Sequence, residues 1–127
     1  MRKIKRNEIP IATQALLKKQ GYTCPLCGGS LRAGAKKEPV LDHDHETGAI
    51  RDVLCRNCNG IEGKIYNLVR RARNGMAYVA WLGRLAQYWE RHKVNQHNLI
   101  HPTHLTEEEK RLKRNAKARA RRAAAKG

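Results

Sequence analysis

The sequence predicts a predominantly helical α+β fold in which a short two-strand hairpin lies between two pairs of cysteines. Three observations support this prediction: helical spacing of apolar residues in the second half, two short strand-like runs separated by a turn, and two Cys-x-x-Cys motifs that flank those runs. The chain has 127 residues, enough for one compact domain with extensions. Hydrophobic residues make up 40% and aromatic residues 5%. The core is therefore expected to be small and to need a metal, a disulfide or a partner subunit.

The first half is predicted to contain a helix, a cysteine turn, the hairpin and the start of a second helix. Pro10 suits the first turn of a helix that runs to about Gln20, and Gly21 is a stop signal. Gly28 and Gly29 make the turn after the second cysteine. The predicted elements that follow are a loop at 31–39, strands at 40–43 and 49–54, a turn at 46–48, and a helix from Cys55 to about Ala72.

The second half is predicted to begin with a break at Asn74-Gly75, followed by a helix from Met76 to about Lys93. One face of this helix is apolar and contains Trp81, Leu85, Tyr88 and Trp89. Packing against the protein's own core and a dimer interface are both open interpretations of this face.

A basic segment follows a histidine-rich loop at 95–106. Thr106 and Glu109 predict a capping box for a last helix, which from Lys110 becomes an Ala/Arg/Lys segment without an apolar stripe. We expect this segment to be disordered alone and to order on a phosphate backbone, and a solvated tail without a specific role is the alternative. The predicted divisions are an N-terminal helix with the cysteine-flanked core at 1–72, a helical packing or dimerisation region at 73–106, and a basic helix or tail at 107–127.

The charge of the chain predicts a polyanionic partner. Lys and Arg number 27 against 11 Asp and Glu, which gives a formal net charge of +16. Nucleic acid is favoured over a membrane because the sequence contains no long apolar run. The basic N-terminus leads into no apolar segment of the length that a signal peptide needs, so we expect an intracellular protein.

The cysteines are predicted to hold a structural zinc. They form the pairs Cys24/Cys27 and Cys55/Cys58, and an intracellular compartment keeps thiols reduced. Zinc is therefore favoured over disulfides, which would allow three connectivities, and over a redox-active motif, which would leave the second pair unexplained. Four thiolates leave no open coordination position, so this zinc would stabilise the fold without taking part in catalysis.

The segment between and just after the cysteine pairs carries groups suited to phosphodiester hydrolysis. Asp42 and Asn59 supply hard oxygen ligands for a catalytic Mg²⁺ or Mn²⁺. His43 is the candidate general base because imidazole titrates near neutral pH. His45 could contact the phosphate or the metal, and Glu62 could be a further ligand or orient one. In a regular strand Asp42 and His43 would face opposite ways, so both can serve one phosphate only if the strand ends or bends there.

Three other interpretations of this segment are weaker. A calcium loop that starts at Asp42 lacks the Gly expected at Thr47 and the closing Glu expected at Val53. A second zinc at His43 and His45 lacks the further His and Asp that such sites use. A surface turn without a function is the third interpretation.

One combined pattern runs through the cysteine pairs and the segment between them. It consists of Cys24-x-x-Cys27, Leu41-Asp-His-Asp-His45, Thr47-Gly48, Arg51, Leu54-Cys55-x-x-Cys58-Asn59 and Glu62-Gly63. This pattern resembles the phage recombination endonuclease VII family, which belongs to the His-Me finger (HNH) nucleases. The similarity covers about Tyr22 to Gly63 and continues more loosely through 78–82 and 98–102.

The resemblance implies a ββα-metal core over a four-cysteine zinc and a single catalytic Mg²⁺ held by Asp42 and Asn59. It implies that His43 activates the water and that His45 and Glu62 assist. Family members cut branched DNA, including Holliday junctions, as homodimers, and leave 5′-phosphate and 3′-hydroxyl ends. The implied protein is a junction-resolving endodeoxyribonuclease in the cytoplasm of a phage-infected bacterium.

Two alternatives and two departures accompany this resemblance. The alternatives are an HNH nicking or homing-type endonuclease that acts on ordinary duplex DNA, and a non-catalytic zinc-finger DNA-binding protein. Family sequences commonly have Gly after the hairpin arginine, where this chain has Asp52. The well-characterised type of the family also has a longer C-terminal region, which the basic segment at 110–126 replaces here.

Overall fold

The computed structural model describes residues 2–72 and 75–126, and the chain forms two compact units, Met1–Ala86 and Gln87–Gly127. In chain order the elements are a 3-10 turn (Arg6–Glu8), α1 (Ile9–Lys19), β1 (Pro39–His43), β2 (Ile50–Cys55), α2 (Arg56–Ala72), α3 (Tyr78–Arg91) and α4 (Glu107–Lys126). Helices form about half of the chain, and the two strands pair in a small antiparallel sheet. The predicted α+β class is confirmed. Of the predicted break at Asn74-Gly75, Asn74 lies outside the described residues.

Helix α1 agrees with the prediction and ends in a turn that redirects the chain. Its first turn contains Pro10. At its end the Tyr22 amide donates to the Leu17 carbonyl at 2.9 Å. The Gly21 amide donates to the Lys18 carbonyl at 3.3 Å, which completes a Schellman motif. Both Gly21 and Tyr22 have positive φ, 63° and 56°, so the chain reverses here toward the first cysteine pair.

The first cysteine pair forms the predicted tight turn. The Cys24 amide donates to the Gly29 carbonyl at 2.9 Å, and the Gly28 amide donates to the Cys24 carbonyl at 2.8 Å. Gly28 has a φ of 72°, a conformation that glycine adopts without strain. Thr23 and Ser30 pair across the base of the turn. The turn therefore holds its two cysteines in a short closed loop.

The hairpin of β1 and β2 bends where the site residues lie. The strands pair antiparallel with Leu41 opposite Val53 and His43 opposite Ile50. One residue lies between these pairs on β1 and two lie between them on β2, so β2 has an extra residue there, as in a β-bulge. Strand β1 also ends at His43. The register shift and the end of β1 therefore both fall at Asp42 and His43.

Helix α2 starts directly at the end of the hairpin. It begins at Arg56, one residue later than predicted, because Cys55 is still paired in β2 opposite Pro39. The helix packs against both strands, and its buried residues are Tyr66 and Val69. Hairpin and helix thus form one continuous unit without an intervening loop.

The core is small and surrounds the cysteines. Its buried residues are Leu17, Cys24, Leu31, Val53, Leu54 and Cys55. Gln20 joins α1 to β2, because its Nε2 donates to the Val53 carbonyl at 2.6 Å and its Oε1 accepts from the Val53 amide at 3.0 Å. An amide side chain thus occupies the place that a further strand would take at the edge of β2.

The helices of the second half contribute few buried residues. Among the described residues neither α3 nor α4 contains a buried residue. Trp81 and Leu85 are half-buried, whereas Tyr88 and Trp89 are exposed. Within residues 2–72 and 75–126, no helix combines the length and the apolar character that a membrane span requires.

Helix α4 corrects one prediction. The segment from Lys110, expected to be disordered alone, continues as a helix to Lys126. Its start is capped by Thr106, whose Oγ1 accepts from the Glu109 amide at 3.2 Å and donates to Glu109 Oε1 at 3.1 Å. Ala, Lys and Arg have high helix propensity, which outweighs the missing apolar stripe.

Removing the Gln20 side chain should destabilise the fold. Gln20→Ala leaves the Val53 amide and carbonyl without this partner, and we expect the free energy of unfolding to fall by about 1–3 kcal/mol. Gln14→Ala is the matched control, because Gln14 lies exposed on the same helix and its loss should cost less than about 0.5 kcal/mol. Urea unfolding followed by circular dichroism measures both, and equal losses would contradict the role of Gln20.

Candidate metal centre and candidate active site

The cysteines lie in one cluster, as predicted. Their four Sγ atoms are all within 4.8 Å of one another, and those of Cys27 and Cys55 are 3.8 Å apart. A tetrahedral zinc with Zn–S bonds of about 2.3 Å places its sulfurs about 3.8 Å apart. All four cysteines are free, and the observed separation is far longer than a disulfide bond of about 2.05 Å. The cluster therefore fits a metal ion such as zinc.

Hydrogen-bond donors surround the sulfur atoms. The Cys55 amide donates to Cys24 Sγ at 3.4 Å, and the Cys58 amide donates to Cys55 Sγ at 3.3 Å. Lys37 Nζ donates to Cys27 Sγ at 3.1 Å, and this ammonium lowers the pKa of the Cys27 thiol to about 6. Donors of this kind favour the thiolate, which is the form that binds zinc.

A continuous set of contacts joins the hairpin to α2. We call it the Arg51 network, and it consists of Asp42, Arg51, Glu62 and His45. Arg51 Nε donates to Asp42 Oδ2 at 2.6 Å, and Asp42 is only 6% exposed. Arg51 Nη2 lies 3.0 Å from Glu62 Oε1. On the other side of the same carboxylate, Glu62 Oε2 lies 2.8 Å from His45 Nε2. A buried carboxylate and an imidazole are thus connected through α2.

Arg51 occupies the centre of this network. The hydrogen bond to Asp42, and secondarily the contact with Glu62, raise the pKa of its guanidinium, which therefore stays charged. Its buried Nη2 lies 3.0 Å from Glu62 Oε1, so the guanidinium bridges the carboxylates of Asp42 and Glu62.

An aromatic stack holds His45 in place. The His45 ring lies parallel to the Tyr66 ring, with centroids 4.5 Å apart and planes 10° apart. Tyr66 meets Tyr78 edge-on at 5.1 Å, and its hydroxyl donates to Glu46 Oε1 at 3.4 Å. Since Glu62 also contacts His45, this imidazole is restrained from two directions.

Asp44, the acidic residue between the two histidines, serves the hairpin turn. Its Oδ1 accepts from the Thr47 and Glu46 amides, each at 2.8 Å. These bonds, first that of Thr47, lower the pKa of Asp44 and keep its carboxylate charged. The turn is therefore closed by a side chain, and this carboxylate is already engaged.

His43 and Asn59 lie beside the Arg51 network. His43 is exposed, and its ring centroid is 6.1 Å from that of His45. Asn59 is partly exposed and precedes Glu62 by one turn of α2, a spacing at which neighbouring Cβ atoms are about 5–6 Å apart. Of the five residues predicted for catalysis or Mg²⁺ binding, the network joins Asp42, Glu62 and His45.

Sequence reasoning assigned no role to Arg51 or Tyr66. Tyr66 could have been found, because it follows Glu62 by four residues and so shares its helix face. Arg51 is part of the combined sequence pattern, but its contact with Asp42 could not be predicted because it depends on the register shift between the strands.

Comparison with known families agrees with this geometry. A sequence model of the family described as recombination endonuclease VII matches residues 2–90. The chain belongs to this family. The matched region contains the cysteine cluster, the Arg51 network and all but the last residue of α3, and it ends before α4. The resemblance inferred from the combined sequence pattern is therefore confirmed.

A phage protein shares part of this sequence. The Gene 59 protein of Mycobacterium phage L5 is 45% identical over 40 residues, which is 32% of this chain and 23% of the phage protein. The match thus spans less than a quarter of that relative's length.

Removing the metal should unfold the first unit. We expect one zinc per purified chain by elemental analysis, and we expect a strong chelator to abolish the cooperative thermal transition, because the small core depends on the cysteine cluster. Adding zinc back under reducing conditions should restore the transition. Retention of the full melting temperature after the metal has been removed would contradict a structural role, and fewer than four titratable thiols in the denatured protein would favour disulfides.

Proposed function

We propose that the chain is an endonuclease that hydrolyses phosphodiesters in branched DNA, such as Holliday junctions, and leaves 5′-phosphate and 3′-hydroxyl ends. The observation that carries this proposal is the Arg51 network, which brings a buried carboxylate and an imidazole together in a member of the recombination endonuclease VII family. The net charge of +16 supports DNA as the substrate. The phage relative supports a phage-infected bacterial cell as the place of action.

A His-Me finger arrangement is part of this proposal. Its supporting observation is the direct succession of β1, β2 and α2, with the cysteine cluster at the junction of β2 and α2. Asn59 immediately follows Cys58, so the position of Asn59 depends on the same cluster. A structural zinc would thus align α2 with the hairpin that carries Asp42 and His43.

The oxygen donors suit a Mg²⁺ or Mn²⁺ ion. Asp42 uses Oδ2 for Arg51, which leaves Oδ1 for a cation, and Asn59 offers an amide oxygen. Magnesium sites in proteins often use one or two such ligands and complete their shell with water and substrate phosphate. When bound, the cation would neutralise charge on the scissile phosphate and make water easier to deprotonate.

The protein's own residues would divide the remaining work. His43, exposed at the end of β1, would accept the proton of the attacking water as the 3′-oxygen leaves phosphorus. His45 is restrained at Nε2 by Glu62 and on its face by Tyr66, so its other nitrogen can be presented to the phosphate in a fixed orientation. Arg51 would hold the Asp42 carboxylate in a fixed orientation through their 2.6 Å ion pair.

A homodimer is proposed from the exposed apolar surface. A cavity of about 330 Å³ lies between α2 and the start of α3, and its lining includes Ile61, Ile65, Tyr78 and Leu82. Leu68 and Val79 add exposed apolar area on the same two helices. Apolar surface of this extent typically contacts a partner. A second copy would cover the same surface in both subunits and supply two active sites for paired cuts across a branch.

Cleavage of a four-way junction compared with a linear duplex of the same sequence tests the proposed function. We expect cleavage that depends on Mg²⁺ and is much faster on the junction, because paired active sites match the two strands at a branch. Equal rates on both substrates would favour a nicking or homing-type enzyme. A protein that binds DNA but cleaves none in Mg²⁺ or Mn²⁺ would instead be a zinc-finger binding module.

Two histidine variants provide the controls for this assay. His43→Ala removes the proposed base and should lower the cleavage rate by about 100-fold or more, with DNA affinity and zinc content unchanged. His104→Ala removes an exposed histidine outside the site and should leave the rate unaltered. Equal activity in the two variants would remove His43 from the mechanism.

Loss of Arg51 should affect both stability and cleavage. Arg51→Gln leaves the buried Asp42 carboxylate without its cationic partner, and we expect a loss of about 1–3 kcal/mol in unfolding free energy and a cleavage rate lower by about tenfold or more. Arg56→Gln is the matched control, because the ion pair of Arg56 with Glu38 is exposed and should contribute less than about 1 kcal/mol. If Arg51→Gln costs no more than Arg56→Gln in both measurements, the network has no such role.

A further inference from the structure

Helix α4 carries a strongly basic charge pattern that its own residues do not balance. Residues 110–126 contain nine Lys and Arg and no Asp or Glu. Lys110 pairs with Glu107 and Arg111 pairs with Glu108, both in the first turn. From Lys113 onward, no cation of α4 forms an ion pair with another described residue of its own unit, residues 87–126. Like charges one turn apart destabilise an isolated helix, so this arrangement favours an external anion.

The unpaired cations form a stripe along the helix. With 3.6 residues per turn, one side within an arc of about 100° carries Lys113, Arg114, Lys117 and Arg121. All four side chains are exposed. Helix α4 is about 30 Å long, and duplex DNA presents one phosphate charge per about 1.7 Å of its axis. A rigid row of cations can therefore contact several phosphates at once.

The uncharged residues of α4 favour DNA over a lipid surface. Between Lys110 and Lys126 they are Leu112, Asn115 and alanines. A basic helix that binds an anionic membrane inserts bulky apolar side chains from its other face, and only Leu112 is of that kind. Alanine side chains are short, so the helix backbone can approach a groove closely, and the major groove is wide enough to admit an α-helix.

We propose that α4 is a preformed DNA-binding helix that contacts duplex phosphates through Lys113, Arg114, Lys117 and Arg121, independently of cleavage. It lies outside residues 2–90, the region that matches the recombination endonuclease VII family. Capping by Thr106 forms the helix before DNA binds, which avoids the entropic cost of ordering a disordered tail. This proposal rests on the proposed function only in taking DNA as the partner, and it requires no catalysis.

The test measures DNA affinity of the full chain as a function of salt concentration, in EDTA-free buffer without Mg²⁺, on a linear duplex of arbitrary sequence. In the α4 variant, the four stripe residues are changed to Gln. The negative slope of log affinity against log salt concentration should become shallower by about three to four. In the control variant, four exposed cations at the ends of α1 and α2 are changed to Gln: Lys18, Lys19, Arg70 and Arg71. Its slope should change by less than about one.

The outcomes separate this proposal from the proposed function. Equal slope changes in the two variants, or no change in the α4 variant, would overturn the α4 proposal whether or not the protein cleaves junctions. If the protein gives the expected slopes but cleaves no DNA, only the proposed nuclease activity is refuted. Loss of binding to phosphatidylserine vesicles with unchanged DNA slopes would assign the stripe to membranes and overturn the DNA assignment.

A measurement on the unmodified protein guards against misfolded variants. Hydrogen exchange of the α4 amides should slow when duplex DNA is added, because a bound helix opens less often. Circular dichroism of both variants should match the unmodified protein, since Gln has nearly the helix propensity of Lys and Arg. Unchanged exchange in α4 at saturating DNA would overturn the proposal.

Discussion

The position of every element in the first unit depends on the meeting of four sulfur atoms. Two of them come from the turn after α1, one from the last residue of β2, and one from the first turn of α2. The buried apolar residues around them are few, so ordinary hydrophobic burial provides limited stabilisation. Metal–thiolate bonds compensate for a small core by linking segments distant in sequence, and a zinc held by this cluster would link the turn after α1, the hairpin and α2.

The candidate active site uses the frame that this cluster creates. Asp42 is buried at the end of β1, where an unpaired carboxylate would be costly, and Arg51 from the neighbouring strand supplies the compensating charge. Glu62 extends the contact to α2 and restrains His45. The same contacts therefore stabilise the junction of hairpin and helix and orient the groups proposed for catalysis. Residues with both duties are expected to show coupled losses of stability and activity.

The charges of the chain are segregated in a way that suits a polyanionic substrate. Carboxylates number only 11, and Asp42, Asp44, Glu46 and Glu62 lie together at the hairpin and the facing side of α2. Most of the 27 Lys and Arg lie elsewhere, with nine of them in residues 110–126. A local group of oxygen ligands within a strongly basic protein can attract a divalent cation and a phosphate backbone to neighbouring places.

Much of the fold could be predicted from local patterns in the sequence. Pro10 and Gly21 act through their own backbone preferences, so the limits of α1 were predicted within one or two residues. The cysteine spacing predicted the metal cluster because the motif itself specifies a ligand pair. The missing apolar stripe of the basic segment predicted disorder. The segment is nevertheless helical, because the Thr106 cap and a high intrinsic helix propensity act without tertiary contacts.

The sequence by itself determined the cysteine pairs, the order of hairpin and helix, and the family, and it proposed the site candidates Asp42, His43, His45, Asn59 and Glu62. Only the tertiary structure decided that Asp42 is buried against Arg51, and that Tyr66 and Glu62 together hold His45. The reason is geometric. A shift of one residue in strand register changes which side chains meet, and neither residue identity nor spacing along the chain encodes that shift.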